Sequence, residues 1–202
     1  MSGLIKLLDN RQTPLWVGLI AGLFAVAMAF IYSGDPSERA LLAARWTART
    51  ALSVFLVTYL ASSLVRLKPS PLTKTILRYR RQWGLGFAIA HSIHLVALLV
   101  NITIYHPRPL ETLFAGGVAY AMIYIMALTS TNASQRRLGK WWKRIHKFGI
   151  HYIWFIFAAS YTLSAIGDDP QYYLNGRILI LVMLAALGIR LVAWNKARAI
   201  RT

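Results

Sequence analysis

Four of the five histidines in this 202-residue chain lie in two apolar segments. His91 and His94 belong to the stretch GLGFAIAHSIHLVALLV, and His146 and His151 end the basic stretch TSTNASQRRLGKWWKRIHKFGIH, where an apolar segment begins. Burying a histidine in an apolar helix is costly, so each is a functional candidate. Neutral imidazole is the usual axial ligand of b-type haem in helical bundles. The pattern favours haem ligation over the alternative, in which a histidine only bonds a neighbouring helix or lines a water pocket.

The spacing within each pair predicts which histidines share a helix face. His91 and His94 are three residues apart and should project from nearly the same face. His146 and His151 are five residues apart and diverge by ~140° around their helix. Both therefore cannot face the same haem equally well. His106, in the segment YHPRP, is interpreted as an ordinary loop residue.

Depth along each helix gives a second criterion for pairing. Counted from the basic ends of the two helices, His94 lies ~20 Å deep, His91 ~15 Å, His151 ~10 Å and His146 only ~3 Å. Two ligands of one haem should lie at similar depths, which favours His91 with His151. Because helix tilt shifts such depths, this criterion leaves the pairing open.

The composition predicts an integral membrane protein. The chain is 57% hydrophobic and has only six acidic residues. Its apolar residues form six blocks of membrane-spanning length. It has no cysteine, which excludes disulfides, iron–sulfur clusters and thiolate-bound metals. The net charge of +17 could suggest nucleic-acid binding, but the basic residues occupy short connections between apolar blocks, so no nucleic-acid partner is expected.

The elements that must position the histidines are six predicted spanning helices. The connection 33–45 is read as polar, with Asp35-Pro36 as a turn, and Arg49 then begins the second span. The predicted spans are residues 14–32, 46–65, 83–105, 112–131, 146–166 and 177–194. Together they predict an all-α membrane protein, a single six-helix bundle domain over residues 1–202.

Charge distribution predicts the orientation of these spans. The N-terminal tail, the second and fourth connections and the C-terminal tail hold 16 of the 23 Lys and Arg residues. Five of the six acids, including Asp168 and Asp169, lie in the alternate connections. By the positive-inside rule both termini are cytoplasmic.

Three segments resemble the ferric-reductase-like transmembrane domain family. They are TARTAL (47–52), RRQWGLGFAIAHSIH (80–94) and TSTNASQRRLGKWWKRIH (129–146). The last is the most specific, and the resemblance covers about residues 40–165. It is strongest to the short bacterial branch of haem-binding membrane subunits of periplasmic methionine sulfoxide reductase systems.

The resemblance implies a ligand set for haem b. His94 falls on the family's third-helix ligand and His146 on its first fifth-helix ligand. A further fifth-helix histidine of the family is Ala159 here, for which His151 is the candidate substitute. The position of a second third-helix ligand is Arg80. One haem is therefore expected rather than two, and His91 and His151 rank behind His94 and His146.

Arginines near the ends of the spans are candidate partners for the anionic haem propionates. Arg49, inside the family-like segment TARTAL, is the strongest of them. Arg80 and Arg81 are better explained by snorkelling and by their effect on orientation.

The expected function is transmembrane electron transfer in a bacterial inner membrane. The chain has no GxGxxG motif and no soluble domain for flavin or NADPH, so it is expected to lack a catalytic domain of its own. Electrons would come from a cytoplasmic flavin reductase, with FMN, or from a membrane quinol. They would pass to a periplasmic reductase or to ferric iron. The alternative is a small permease or assembly subunit without haem, whose histidines handle protons or substrate.

Overall fold

A computed structural model of the chain describes residues 2–167 and 173–199, and all regular structure within these ranges is helical. The elements, in chain order, are α1 (Ser2–Leu8), α2 (Thr13–Tyr32), α3 (Pro36–Leu67), α4 (Pro71–Arg78), α5 (Arg80–Val100), a π-helical turn (Asn101–Tyr105), α6 (Leu110–Leu128), α7 (Asn132–Leu138), α8 (Lys140–Ile166) and α9 (Tyr173–Ala199). Asp168 and Asp169 lie outside the described residues, as do residues 200–202 of the basic tail.

Six of the described helices are long and apolar enough to cross a membrane. They are α2, α3, α5 with its π-helical extension, α6, α8 and α9. Many of their large apolar side chains are exposed, among them Phe24, Leu128 and Leu163, as expected for surfaces that face lipid. The predictions of an all-α fold and of six spans are confirmed.

The start of α3 corrects one prediction. The helix begins at Pro36, so the polar connection is limited to residues 33–35 and does not extend to residue 45. The Asp35 side chain caps the helix by accepting a hydrogen bond from the Glu38 backbone N–H at 2.7 Å, and proline fits the first helical position. Arg49 is therefore the fourteenth residue of a 32-residue helix, and the prediction that it begins the helix is wrong.

The basic connections contain short helices that the sequence reading did not identify. In α4, Ser70 and Thr73 form a capping box that stabilises the first turn. The other end of α4 is joined to the segment after α1 by an exposed ion pair of 3.0 Å between Arg78 and Asp9. Such an exposed pair contributes little stability.

Contacts divide the chain into two compact units, Met1–Leu113 and Phe114–Thr202. In the first unit α2, α3 and α5 pack together through small residues. A Cβ added at Gly86 of α5 would overlap the backbone carbonyl of Pro14, and one added at Gly18 of α2 would overlap that of Gly86. These two glycines allow the α2 and α5 backbones to touch, as small residues do in membrane helix pairs.

The second unit is built in a similar way around α8 and α9. A Cβ at Gly176 of α9 would lie 2.5 Å from the backbone nitrogen of Ala165 on α8. The Trp154 indole donates a hydrogen bond of 3.1 Å to the Met183 carbonyl across the same helix pair. α8 contacts α6 at Gly149, which lies against the side chains of Met122 and Met126.

Candidate functional site

His91 and His94 lie side by side on α5. Their ring centroids are 4.9 Å apart with an interplanar angle of 51°, so the predicted shared face is confirmed. His91 is buried and also packs on Phe87, with ring centroids 5.1 Å apart. Two axial ligands of one iron must approach it from opposite sides. Neighbouring side chains on one helix face cannot do so, which means that this pair supplies at most one ligand to a given haem.

The ring of His94 is held by a threonine on α3. Its Nδ1 lies 3.1 Å from Oγ1 of Thr47, a fully buried residue. The same hydroxyl lies 2.6 Å from the carbonyl oxygen of Ala43 and 3.1 Å from that of Ala44. Because carbonyl oxygens only accept, the single hydroxyl hydrogen is used on them. His94 must then donate from Nδ1, which leaves the lone pair on Nε2, an atom that can bind a metal.

His146 is positioned by the end of α6 and by its own helix. Its Nδ1 lies 3.0 Å from the Trp142 carbonyl oxygen, and its Nε2 lies 3.3 Å from the Met126 carbonyl oxygen. The ring stacks on Trp142 with centroids 4.0 Å apart, and the Trp142 indole donates to the Thr129 carbonyl at 3.0 Å. In this rotamer Nε2 faces a carbonyl, so the ring must turn before Nε2 can bind iron.

His151 faces a different helix from His146, as their spacing predicted. Its Nε2 lies 3.5 Å from the Arg190 guanidinium on α9. A guanidinium only donates hydrogen bonds, so the Nε2 lone pair of His151 is directed at a cation. The sequence reading missed Arg190. Arg190 is the eighteenth residue of a 27-residue spanning helix, and a charge in that position was the signal that could have identified it.

The arginines singled out from the sequence lie in different surroundings. Arg80 donates from Nε to the Thr58 carbonyl at 3.1 Å and so joins α5 to α3. Arg49 is half-buried and lies two residues after Thr47, which places it ~200° around α3 from the side chain that holds His94. Arg49 and the Thr47–His94 contact therefore lie on different faces of α3.

His106 has more contacts than the loop interpretation implied. Its Nδ1 lies 2.9 Å from Oδ1 of the buried Asn101, and its Nε2 lies 3.3 Å from Oγ of Ser37. The ring thereby links the start of α3 to the π-helical turn. Both ring nitrogens contact side chains of the first unit, which makes His106 a suitable control for the other histidines.

The first unit also contains an apolar cleft of about 490 Å³ between α2, α3 and α5. Ile93 and Ala97 of α5 line it, and Arg39 lies at its edge. His91 and His94 are not among the lining residues, so the cleft and the histidine pair occupy different faces of α5. The Arg39 guanidinium is hydrogen-bonded to the carbonyls of Ser33 and Gly34.

The donor set fits a porphyrin-bound metal. Among the residues that the structure describes, no group of three or more His, Cys, Asp or Glu side chains could hold a metal ion. A haem iron needs only one or two protein ligands, because the porphyrin supplies the others. Single imidazoles with a fixed tautomer, such as that of His94, meet this requirement.

Fold and site together define a class: a multi-pass helical membrane protein with imidazoles inside its spans. Within that class the chain belongs to the MsrQ family. It is 30% identical over 177 residues to the protein-methionine-sulfoxide reductase heme-binding subunit MsrQ of Cronobacter sakazakii, an alignment that covers 79% of this chain and 81% of that protein. No protein-family model and no solved structure matches the chain. The predicted resemblance to the membrane subunit of a methionine sulfoxide reductase system is confirmed.

Proposed function

We propose that this protein is a haem b-binding electron-transfer subunit of a methionine sulfoxide reductase system. Its family membership and its six candidate spans support the proposal. The observation that carries it is the contact between His94 Nδ1 and the Thr47 hydroxyl, whose own hydrogen is used on backbone carbonyls, so that Nδ1 is the donor of the pair. Bound haem would supply one-electron cycling between ferric and ferrous iron.

The proposed ligands are His94 and His146, with His91 and His151 as the alternatives. The His94 ring contacts Thr47 through Nδ1, whereas His146 must release the Met126 carbonyl before Nε2 can bind iron. His91 is adjacent to His94, and His151 faces Arg190. We propose the ligands in the order that the resemblance of the sequence implies.

One haem is proposed rather than two. Ala159 and Arg80 occupy the positions of the additional family histidines, and neither can bind iron. The Arg80 guanidinium is bonded to the α3 backbone. For the propionates of the single haem we propose Arg49, on its place in the TARTAL segment. Its half-buried side chain lies on a different face of α3 from Thr47, so the proposal requires a propionate to reach that face.

We place this single domain, residues 1–202, in a bacterial inner membrane with both termini in the cytoplasm, on the charge distribution described above. The proposed donor is a cytoplasmic flavin reductase carrying FMN, or a membrane quinol. The proposed acceptor is a periplasmic reductase partner or ferric iron. The chain acts as the relay between them.

A second candidate is a haem-free permease or assembly subunit. The contact between the part-buried side chains of His151 and Arg190 favours it, because ionisable side chains inside spanning helices also mark proton and ion pathways. The two functions predict different absorption spectra for the purified protein. The relay requires a haem spectrum, and the permease requires none.

The test is a haem-binding measurement on the full chain purified in detergent after haem-supplemented expression. The relay predicts a Soret band and α and β bands that sharpen with dithionite. His94→Ala and His146→Ala should lose most of the haem, while the matched control His106→Ala should retain it. A colourless wild-type protein would contradict the function. Full haem content in alanine variants of all four candidate histidines would contradict the site.

A further inference from the structure

Thr47 stands out among the polar side chains because it has no solvent exposure and yet contacts an imidazole on another helix. It lies in the TARTAL segment of α3, and its hydroxyl connects the α3 backbone to His94 on α5. A threonine hydroxyl in a helix can be satisfied by the backbone carbonyl four residues earlier. Thr47 already donates to that carbonyl, of Ala43, at 2.6 Å. The additional contact with His94 therefore needs a separate explanation.

The hydroxyl of Thr47 is fixed in the orientation that the imidazole requires. Its hydrogen is directed at the carbonyls of Ala43 and Ala44, so a lone pair of the oxygen is presented to Nδ1 of His94. Threonine is branched at Cβ, which restricts its χ1 rotamer in a helix. The bonds to the Ala43 and Ala44 carbonyls hold the hydroxyl in this rotamer, where it faces Nδ1 of His94. The His94 ring is also hydrogen-bonded to the backbone of Ala44, so Thr47 and Ala44 together fix its orientation.

We propose that Thr47 is a positioning residue for the haem ligand His94 and that it lowers the reduction potential of the haem. The inference rests on the proposed function, since it requires haem on His94. When a metal-bound imidazole donates a hydrogen bond from the ring nitrogen that does not bind the metal, it becomes a more basic ligand. A more basic ligand stabilises ferric iron over ferrous iron. Removing the hydroxyl, which leaves the Ala44 backbone as the remaining partner of the ring, should therefore raise the midpoint potential.

The test compares three variants of the full chain in detergent. Thr47→Val replaces the hydroxyl by a methyl group and keeps the branched shape, and Thr47→Ser keeps the hydroxyl. Thr50→Val is the matched control, because Thr50 lies about one turn further along α3 and its hydroxyl donates to the Thr47 carbonyl, at 3.1 Å. The readouts are haem content, the midpoint potential from a spectroscopic titration, and the electron paramagnetic resonance of the ferric haem.

We expect Thr47→Val to hold haem with a more positive midpoint potential and a changed resonance spectrum. Thr47→Ser and Thr50→Val should match the wild type. Thr47→Val could instead lose its haem. In that case, a Thr47→Ser variant that keeps haem at the wild-type potential shows that the hydroxyl is what holds His94 in place.

Two results would overturn the inference. One is a wild-type potential in haem-loaded Thr47→Val. The other is equal loss of haem from Thr47→Val and Thr47→Ser, which would assign Thr47 to packing alone. Both differ from a wild-type protein without haem, which would instead contradict the proposed function.

Discussion

The contact between the backbones of α2 and α5 makes a quantitative prediction for Gly86→Ala. The added Cβ would overlap the Pro14 carbonyl, which is backbone and cannot rotate away. Overpacking of this kind costs about 1–3 kcal/mol. Replacing a helical glycine by alanine returns about 0.5–1 kcal/mol of conformational entropy. The net expectation is a loss of about 1–2 kcal/mol of stability.

Gly84→Ala is the matched control on the same helix. A Cβ there would lie 3.7 Å from Cγ2 of Thr58, an ordinary van der Waals distance. This variant should gain about 0.5–1 kcal/mol from reduced backbone entropy alone. The two alanine variants are therefore expected to shift stability in opposite directions, although they lie only two residues apart.

The assay is thermal unfolding in detergent, followed by tryptophan fluorescence with size-exclusion chromatography before and after heating. Trp83, one of the seven tryptophans of the chain, is buried on α5 close to both sites and contributes to this signal. Gly86→Ala should lower Tm by several degrees and Gly84→Ala should raise it slightly. Equal stabilisation by both substitutions would refute the close backbone approach of α2 and α5.

Two further predictions concern hydrogen bonds inside each unit. Asn101→Ala should lower the free energy of unfolding by about 1–3 kcal/mol because it leaves Nδ1 of half-buried His106 without the Asn101 acceptor, and urea titration in detergent would measure this. Trp142→Phe should keep the stacking on His146 but lose the indole bond to the Thr129 carbonyl, at a cost of about 0.5–1.5 kcal/mol. An unchanged Tm for Trp142→Phe would show that this indole bond does not stabilise the end of α6.

Features that depend on one helix could be predicted from the sequence. Long apolar blocks indicated the six spans, and the helical repeat indicated that His91 and His94 share a face while His146 and His151 do not. The start of α3 was also within reach, because Asp35, Pro36 and Glu38 form a helix N-terminus signature. Because these residues are polar, the segment was instead interpreted as a connection between helices.

Features that depend on the rotation of one helix against another could not be predicted. Thr47 and His94 are 47 residues apart in sequence, and 39 residues separate His151 from Arg190. Whether such residues meet is decided by contacts such as that between Gly18 and Gly86, which set how far each helix turns. A single sequence gives the faces of a helix but not which neighbour each face meets.

The unequal lengths of the spans also bear on the membrane that suits the protein. α3 has 32 residues and is about 48 Å long, whereas α6 has 19 and is about 28 Å long. A hydrocarbon layer of about 30 Å is matched by α6 only when that helix stands nearly upright. Thicker bilayers would have to thin around α6, while α3 could accommodate them by its excess length. The stability of this protein should therefore depend on lipid chain length, and the length of α6 sets the upper limit of the bilayer thickness that fits it.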